Sequence, residues 1–167
     1  RLIAEKLAYR DDARRYVELT GGALAQRTPR PYQREGLVAW ERQQSRGVVV
    51  LPTGAGKSQL GVMAIDRKRR STLVVAPTRE LAQQVERELS WLFAGQGVRV
   101  ASATGGASYR TEQRAYARGP GIVVGTPGRV MDHLERGSVV FEGLSTLVLD
   151  EADRMLDMGF HDDIAYI

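Results

Sequence analysis

Cysteine is absent from the 167 residues, which excludes disulfides and thiolate metal sites together. Histidine is nearly absent. His133 and His161 lie far apart, with no ligand spacing around either, so no metal cluster is expected beyond a cation held by oxygens. No apolar run approaches the roughly 20 residues that cross a bilayer, and the N-terminus lacks a signal-peptide core. A cytoplasmic location without a membrane partner is therefore expected. Lysine is scarce too, with 3 against 21 arginines, and the formal charge is +4. The planar arginine fork suits phosphate, so the balance fits a polyanionic partner, but compositional bias accounts for it equally well. What remains is ordinary: 43% hydrophobic and 26% charged residues, in a length that makes one domain with a real core. The chain opens on Arg1 rather than methionine, as an excised piece would.

Five short β-branched runs punctuate the sequence: VVVL 48–51, TLVVA 72–76, VRVASA 98–103, IVVG 122–125 and TLVLD 146–150. Most are continuously apolar rather than alternating, as strands covered on both faces should be. Helical patterns fall between them. Leu81, Val85, Leu89 and Leu92 recur at helical spacing over 79–93. In TPGRVMDHLERG, Thr126 is placed to cap, Pro127 to open a helix and Gly137 to stop it. A helix is also expected over 32–45. Strands alternating with helices indicate an α/β fold with a mostly parallel sheet flanked by helices. Residues 1–24 read as a charged helical extension ahead of this domain, which occupies 25–167. The basic cluster RKRR 67–70 fits the C-terminus of the helix after Lys57, where positive charge is favourable.

The stretch VVVLPTGAGKSQ, 48–59, nearly matches the phosphate-binding pattern G-x-x-x-x-G-K-[ST], but Leu51 stands where the first glycine belongs. The chemistry survives that departure. Backbone N–H groups must converge on an anion around a tight turn, which Thr53, Gly54, Ala55 and Gly56 can make, and the following helix N-terminus adds partial positive charge. Lys57 would reach the β- and γ-phosphates, and the Ser58 hydroxyl would ligate Mg²⁺. A second signal lies at TLVLDEAD, 146–153, where an apolar strand ends in adjacent carboxylates. Strand C-termini in open α/β sheets face the ligand crevice. Asp150 there would hold Mg²⁺, and Glu151 would orient and deprotonate an attacking water.

At this point the chain resembles a family. DEAD at 150–153 matches the signature of the DEAD-box RNA helicases of superfamily 2, and VLDEADRMLDMGF 148–160 is close to their motif II. APTRELAQQV 76–85 resembles their motif Ia, Gly105 and Gly106 their glycine doublet, and TPGRVMDHL 126–134 their motif Ib. The resemblance covers about residues 25–167. It implies a RecA-like P-loop NTPase domain using ATP and Mg²⁺, the first of two motor domains. It also implies a groove for the sugar-phosphate backbone of single-stranded RNA, lined by Pro77, Thr78, Arg79, Glu80, Gly105, Gly106, Thr126, Pro127, Gly128 and Arg129. Hydroxyls, arginines and glycine-exposed amides are the groups that position a strand without reading bases.

Upstream of residue 76, PRPYQREGLVAW and VVVLPTGAGKS look more like DNA translocases of the same superfamily, the excision-repair and restriction motors. In both branches a glutamine reads adenine, and Gln33 fits that post, with Arg30, Tyr9 or Tyr16 to stack on the base. The resemblance further implies a Ser-Ala-Thr motif, whose strand inserts between the phosphate-loop strand and the Asp150 strand, and a second RecA-like domain carrying arginine fingers. Neither lies in the 16 residues that follow Glu151. The expected function is the first motor domain of an ATP-dependent RNA helicase, with negligible turnover alone. A DNA translocase is the alternative within the superfamily, and a non-hydrolysing ATP-binding scaffold is the alternative of another class. Glu151 speaks against the scaffold, because a pure binder needs no positioned base. Motifs Ia and Ib speak against a small-molecule P-loop kinase.

Overall fold

The computed structural model describes residues 28–52, 54–139 and 144–167. The chain enters α1 (Pro31–Arg42) through Pro31, whose fixed φ suits the first helical position. After the phosphate loop comes α2 (Lys57–Lys68), then β1 (Thr72–Val75), α3 (Arg79–Leu92), β2 (Val100–Ala103) and α4 (Tyr109–Tyr116). It continues through β3 (Ile122–Gly125), α5 (Pro127–Glu135), β4 (Thr146–Leu149), α6 (Ala152–Asp157) and α7 (His161–Tyr166). The four strands form one sheet in the order β2-β3-β1-β4, parallel throughout.

The two central strands explain why this pattern was readable. All four residues of β1 and of β3 are buried, because helices cover both faces of the sheet. On one face Val74, Ile122 and Val124 pack with Val62 and Ile65 of α2 and with Ala82, Leu89 and Leu92 of α3. On the other, Leu73, Val75 and Val123 pack with Val130 of α5 and Met155 of α6, flanked by Tyr116, Leu134 and Ile164. The helix α1 lies outside these layers and is tied to α2. Arg67 pairs with Glu41 at 2.8 Å, and the Lys68 ammonium sits 5.3 Å from the centre of the Trp40 ring. Two members of the basic cluster therefore serve a helix–helix contact.

One expected strand does not form. Residues 48–51 are irregular, with Val48 and Val50 86% and 85% exposed. The physical reason is the sheet edge. Among the described strands β4 pairs only with β1, and none stands between β4 and the 48–51 run. An apolar run with no adjacent ladder cannot satisfy its backbone donors and acceptors as a strand. The helix expected over 32–45 ends at Arg42, and the strand expected over 98–103 begins at Val100. The proposed extension over 1–24, with Tyr9 and Tyr16, lies outside the described residues, as does Thr53.

Candidate functional site

Register determines where the candidate residues meet. At the carboxyl ends of the strands, Gly125 of β3 pairs with Ala103 of β2 and with Val75 of β1, and Val75 pairs in turn with Leu149 of β4. The segments that follow these four residues carry motif Ia, the glycine doublet, motif Ib and the paired carboxylates. All of them therefore emerge along one edge of the sheet, where open α/β folds bind ligands.

At one end of that edge is the phosphate loop. Gly54 and Gly56 have φ of +77° and +80°, a conformation that L side chains rarely adopt. Gly56 is the N-cap of α2 and supplies no side chain to its first-turn amides, leaving them for an external acceptor. Lys57, Ser58 and Asp150 line one cavity of about 40 Å³, floored by Val62, Ile65, Val74 and Val148. Burial pushes the Asp150 carboxyl above its ordinary value of 3.8, and adjacent Glu151 pushes it further. The Glu151 backbone N–H and the Lys57 ammonium oppose both effects. A half-buried carboxylate held at such a cost, beside a hydroxyl, suits a hard divalent cation with oxygen ligands. The residues present thus fit a Mg²⁺–nucleotide.

Gln33 occupies a less open position than its expected role suggests. It is buried, and its Nε2 donates to the carbonyls of Ala55 and Gly56, both at 3.0 Å, while its Oε1 accepts the Arg30 N–H at 2.9 Å. Both Nε2 donors are thus engaged by the phosphate loop, and Oε1 accepts from the start of α1. Tyr32, which sequence reasoning missed, donates to the Ala55 carbonyl at 2.9 Å and accepts from the Arg30 guanidinium at 2.9 Å. Its position between Pro31 and Gln33 was the only hint.

Glu151 sits at φ +54° and ψ +48°, an unfavourable region for a residue with a Cβ, and its carboxylate pairs with Arg154 at 3.2 Å. Backbone strain at a carboxylate adjacent to half-buried Asp150 is a pointer to function.

The remaining candidates gather at the other end of the edge. Pro77 is buried, and the Thr78 hydroxyl accepts the Leu81 N–H at 3.4 Å as the N-cap of α3. Glu80 lies exposed in the first turn of that helix. The Arg79 guanidinium lies against Gly106 so closely that a Cβ there would stand 2.2 Å from its Nη2. Gly105, at φ +75°, lies beside the stem of Arg129. Thr126 takes the N-cap position of α5 without a side-chain cap bond, and Gly128 is exposed in the first turn. Arg129 is not a free cation. Its Nε donates to Glu112 and its Nη1 to Asp132, each at 2.8 Å. Glu112 was not foreseen. Its signal was the spacing of Tyr109, Glu112 and Tyr116 along one face of α4, opposite Arg129 and His133 on α5.

Among the described residues no helix is long and apolar enough to cross a membrane.

Comparison with known proteins agrees with this arrangement. The model of the DEAD/DEAH box helicase family matches residues 30–167. The ATP-dependent RNA helicase CshA of Listeria monocytogenes is 46% identical over 121 residues, covering 69% of this chain and 23% of that protein. A hypothetical ATP-dependent RNA helicase from Sulfolobus tokodaii superposes with a TM-score of 0.74 at 32% identity, over 84% of this chain and 42% of the other. The yeast DEAD-box splicing factor Prp28 gives 0.71 at 32% identity, over 83% and 36%. The chain thus spans less than half the length of these relatives. Phosphate loop, DEAD carboxylates and parallel RecA-like sheet together place this chain in the DEAD/DEAH box helicase family, as the first RecA-like domain of a DEAD-box protein.

Proposed function

We propose that this domain binds ATP and Mg²⁺ at the phosphate-loop end of the sheet edge and the backbone of single-stranded RNA at the other end. In the complete protein this would couple ATP hydrolysis to duplex unwinding. The observation that carries the reading is the alignment of four strand ends, which brings the groove segments and the Asp150–Glu151 pair to one edge, with Lys57 and Ser58 lining a cavity beside Asp150. Lys57 and the first-turn amides of α2 would hold the phosphates, with Thr53, Gly54, Ala55 and Gly56 shaping the loop. Ser58 and Asp150 would hold the cation. Gln33 would read adenine, giving up a bond to the Ala55 or Gly56 carbonyl as it does so, while Arg30 borders the base. This links base recognition to the shape of the loop. Bound Mg²⁺–ATP supplies a polarised γ-phosphoryl group as electrophile. Glu151 would orient a water and accept its proton, after turning from its ion pair with Arg154.

Pro77, Thr78, Arg79, Glu80, Gly105, Gly106, Thr126, Pro127, Gly128 and Arg129 would line the strand groove. Sequence independence follows from contacts limited to phosphate and sugar. A second RecA-like domain would supply the arginine fingers, worth about 10³ to 10⁵ in rate where such fingers have been isolated, so this chain alone should turn over negligibly. The test is titration of the chain with labelled single-stranded RNA, single-stranded DNA and duplex DNA, with and without an ATP analogue. Single-stranded RNA should bind best. Preference for duplex DNA would favour the translocase reading, and nucleotide binding with no nucleic-acid affinity would favour the scaffold.

A further inference from the structure

At the end of the edge that carries motif Ib, Arg129 belongs to a charge cluster built around Glu112. Glu112 is buried, and every contact of its carboxylate is with a donor. Its Oε1 accepts the Gly105 N–H at 3.2 Å, and its Oε2 accepts Arg129 Nε at 2.8 Å and lies 2.7 Å from His133 Nε2. One side chain on α4 thereby fixes the glycine loop after β2 to the helix after β3. The His133 ring is buried, stacked on Tyr109 with centroids 4.5 Å apart and met edge-on by Tyr116 at 4.9 Å. Its Nδ1 has no partner, and its Nε2 faces the Glu112 carboxylate, an acceptor, so Nε2 is the nitrogen that donates. Asp132 also binds Arg129 and takes Arg136 Nε at its second oxygen. Two carboxylates and two guanidiniums thus close on one another, with a formal sum of zero. Arg79 differs. Lying against Gly106, it has no carboxylate partner among the described residues.

We propose that Glu112 is a positioning residue of the strand groove. It holds the Gly105 amide and Arg129 in one fixed geometry and cancels the Arg129 charge inside the fold, so that Arg79 is the cation this corner offers to phosphate. Arg129 then contributes directed N–H groups rather than net charge. The inference rests on the reading of this edge as a nucleic-acid groove.

The salt dependence of single-strand binding separates these roles, because each phosphate neutralised by an uncompensated cation contributes about −0.7 to the log–log slope. The 167-residue chain is titrated with a labelled oligouridylate from low to moderate salt. Arg79→Ala should make the slope shallower by about 0.7. Glu112→Gln leaves the cluster at +1 and should make it steeper by a similar amount, about 0.7, which mere loosening of the fold would not do. The double variant Glu112→Gln/Arg129→Gln restores neutrality; it should bind more weakly, because the directed N–H groups of Arg129 are lost, but with the slope of the unaltered chain. It decides the matter if the single variant does not fold. A Glu112→Gln slope that is unchanged, or a double-variant slope shallower by about 0.7, would make Arg129 an ordinary phosphate cation and overturn the inference alone. No salt-dependent binding by the unaltered chain would overturn the groove itself, and this inference with it.

Discussion

Substituting Gly56 by alanine tests how the phosphate loop is held. Two costs add at this position. The backbone sits at φ +80°, where an L side chain costs about 1–2 kcal/mol. The new Cβ would also stand 2.6 Å from Gln33 Nε2, forcing that amide away from the Ala55 and Gly56 carbonyls. Two hydrogen bonds at about 1 kcal/mol each bring the total to about 3–4 kcal/mol. Gly54 is the control. Its φ is +77°, but nothing lies within 4 Å of its Cβ position, so Gly54→Ala should cost the backbone strain alone, about 1–2 kcal/mol. The difference of about 2 kcal/mol isolates the Gln33 link. Urea unfolding followed by circular dichroism measures both, and Gln33→Ala/Gly56→Ala should cost less than the sum of its parts because the shared contact is lost once. Equal costs for the two glycine variants, or strict additivity in the double variant, would refute the claim that Gln33 braces the loop.

Asp150→Asn should raise stability at neutral pH while abolishing Mg²⁺-dependent nucleotide binding. The folded carboxyl titrates above its ordinary 3.8, so the fold prefers the protonated form, and its contribution is lost as pH rises through the folded value. The gain of the asparagine variant should therefore be greatest at neutral pH and vanish in acid, below the unfolded value; thermal melts across pH check this sign. Gly125→Ala should be severe, because its Cβ would meet Val130 Cγ2 at 2.5 Å and the Ala103 backbone oxygen at 2.9 Å. A cost of about 1–3 kcal/mol or more is expected, with α5 displaced and Arg129 carried along. Gly128→Ala, with nothing closer than 3.9 Å, should leave folding unharmed in the same denaturation assay. Lys57→Ala should remove most nucleotide affinity measured by titration, since a charge-assisted phosphate contact is lost.

The residues alone determined most of the architecture. The two central strands, buried on both faces, read as continuous apolar runs, and four of five strands were placed to within two residues because β-branched runs carry a local β-preference. The ends of α5 at Pro127 and Gly137 were legible because a fixed φ at a helix start and a glycine just past its last turn are local chemistry. The residues of the proposed nucleotide site could be picked out for a related reason. A phosphate loop is a contiguous segment, and Asp150 and Glu151 are adjacent in the chain.

Tertiary structure decided the rest. The run 48–51 has the composition of a strand, but a strand needs a neighbour for its hydrogen bonds, and no local signal reports whether one is beside it. Gln33 was recognised as a residue that could read a base; that its amide is engaged by the Ala55 and Gly56 carbonyls depends on the packing of α1 against the loop. Arg129 read as a phosphate cation because sequence shows charge and not compensation. Glu112 lies 17 residues from Arg129, and only the packing of α4 beside α5 brings its carboxylate within 2.8 Å. Periodicity and capping act over a few residues and can be read along the chain, whereas the effective charge of a side chain is set by whatever the fold packs against it.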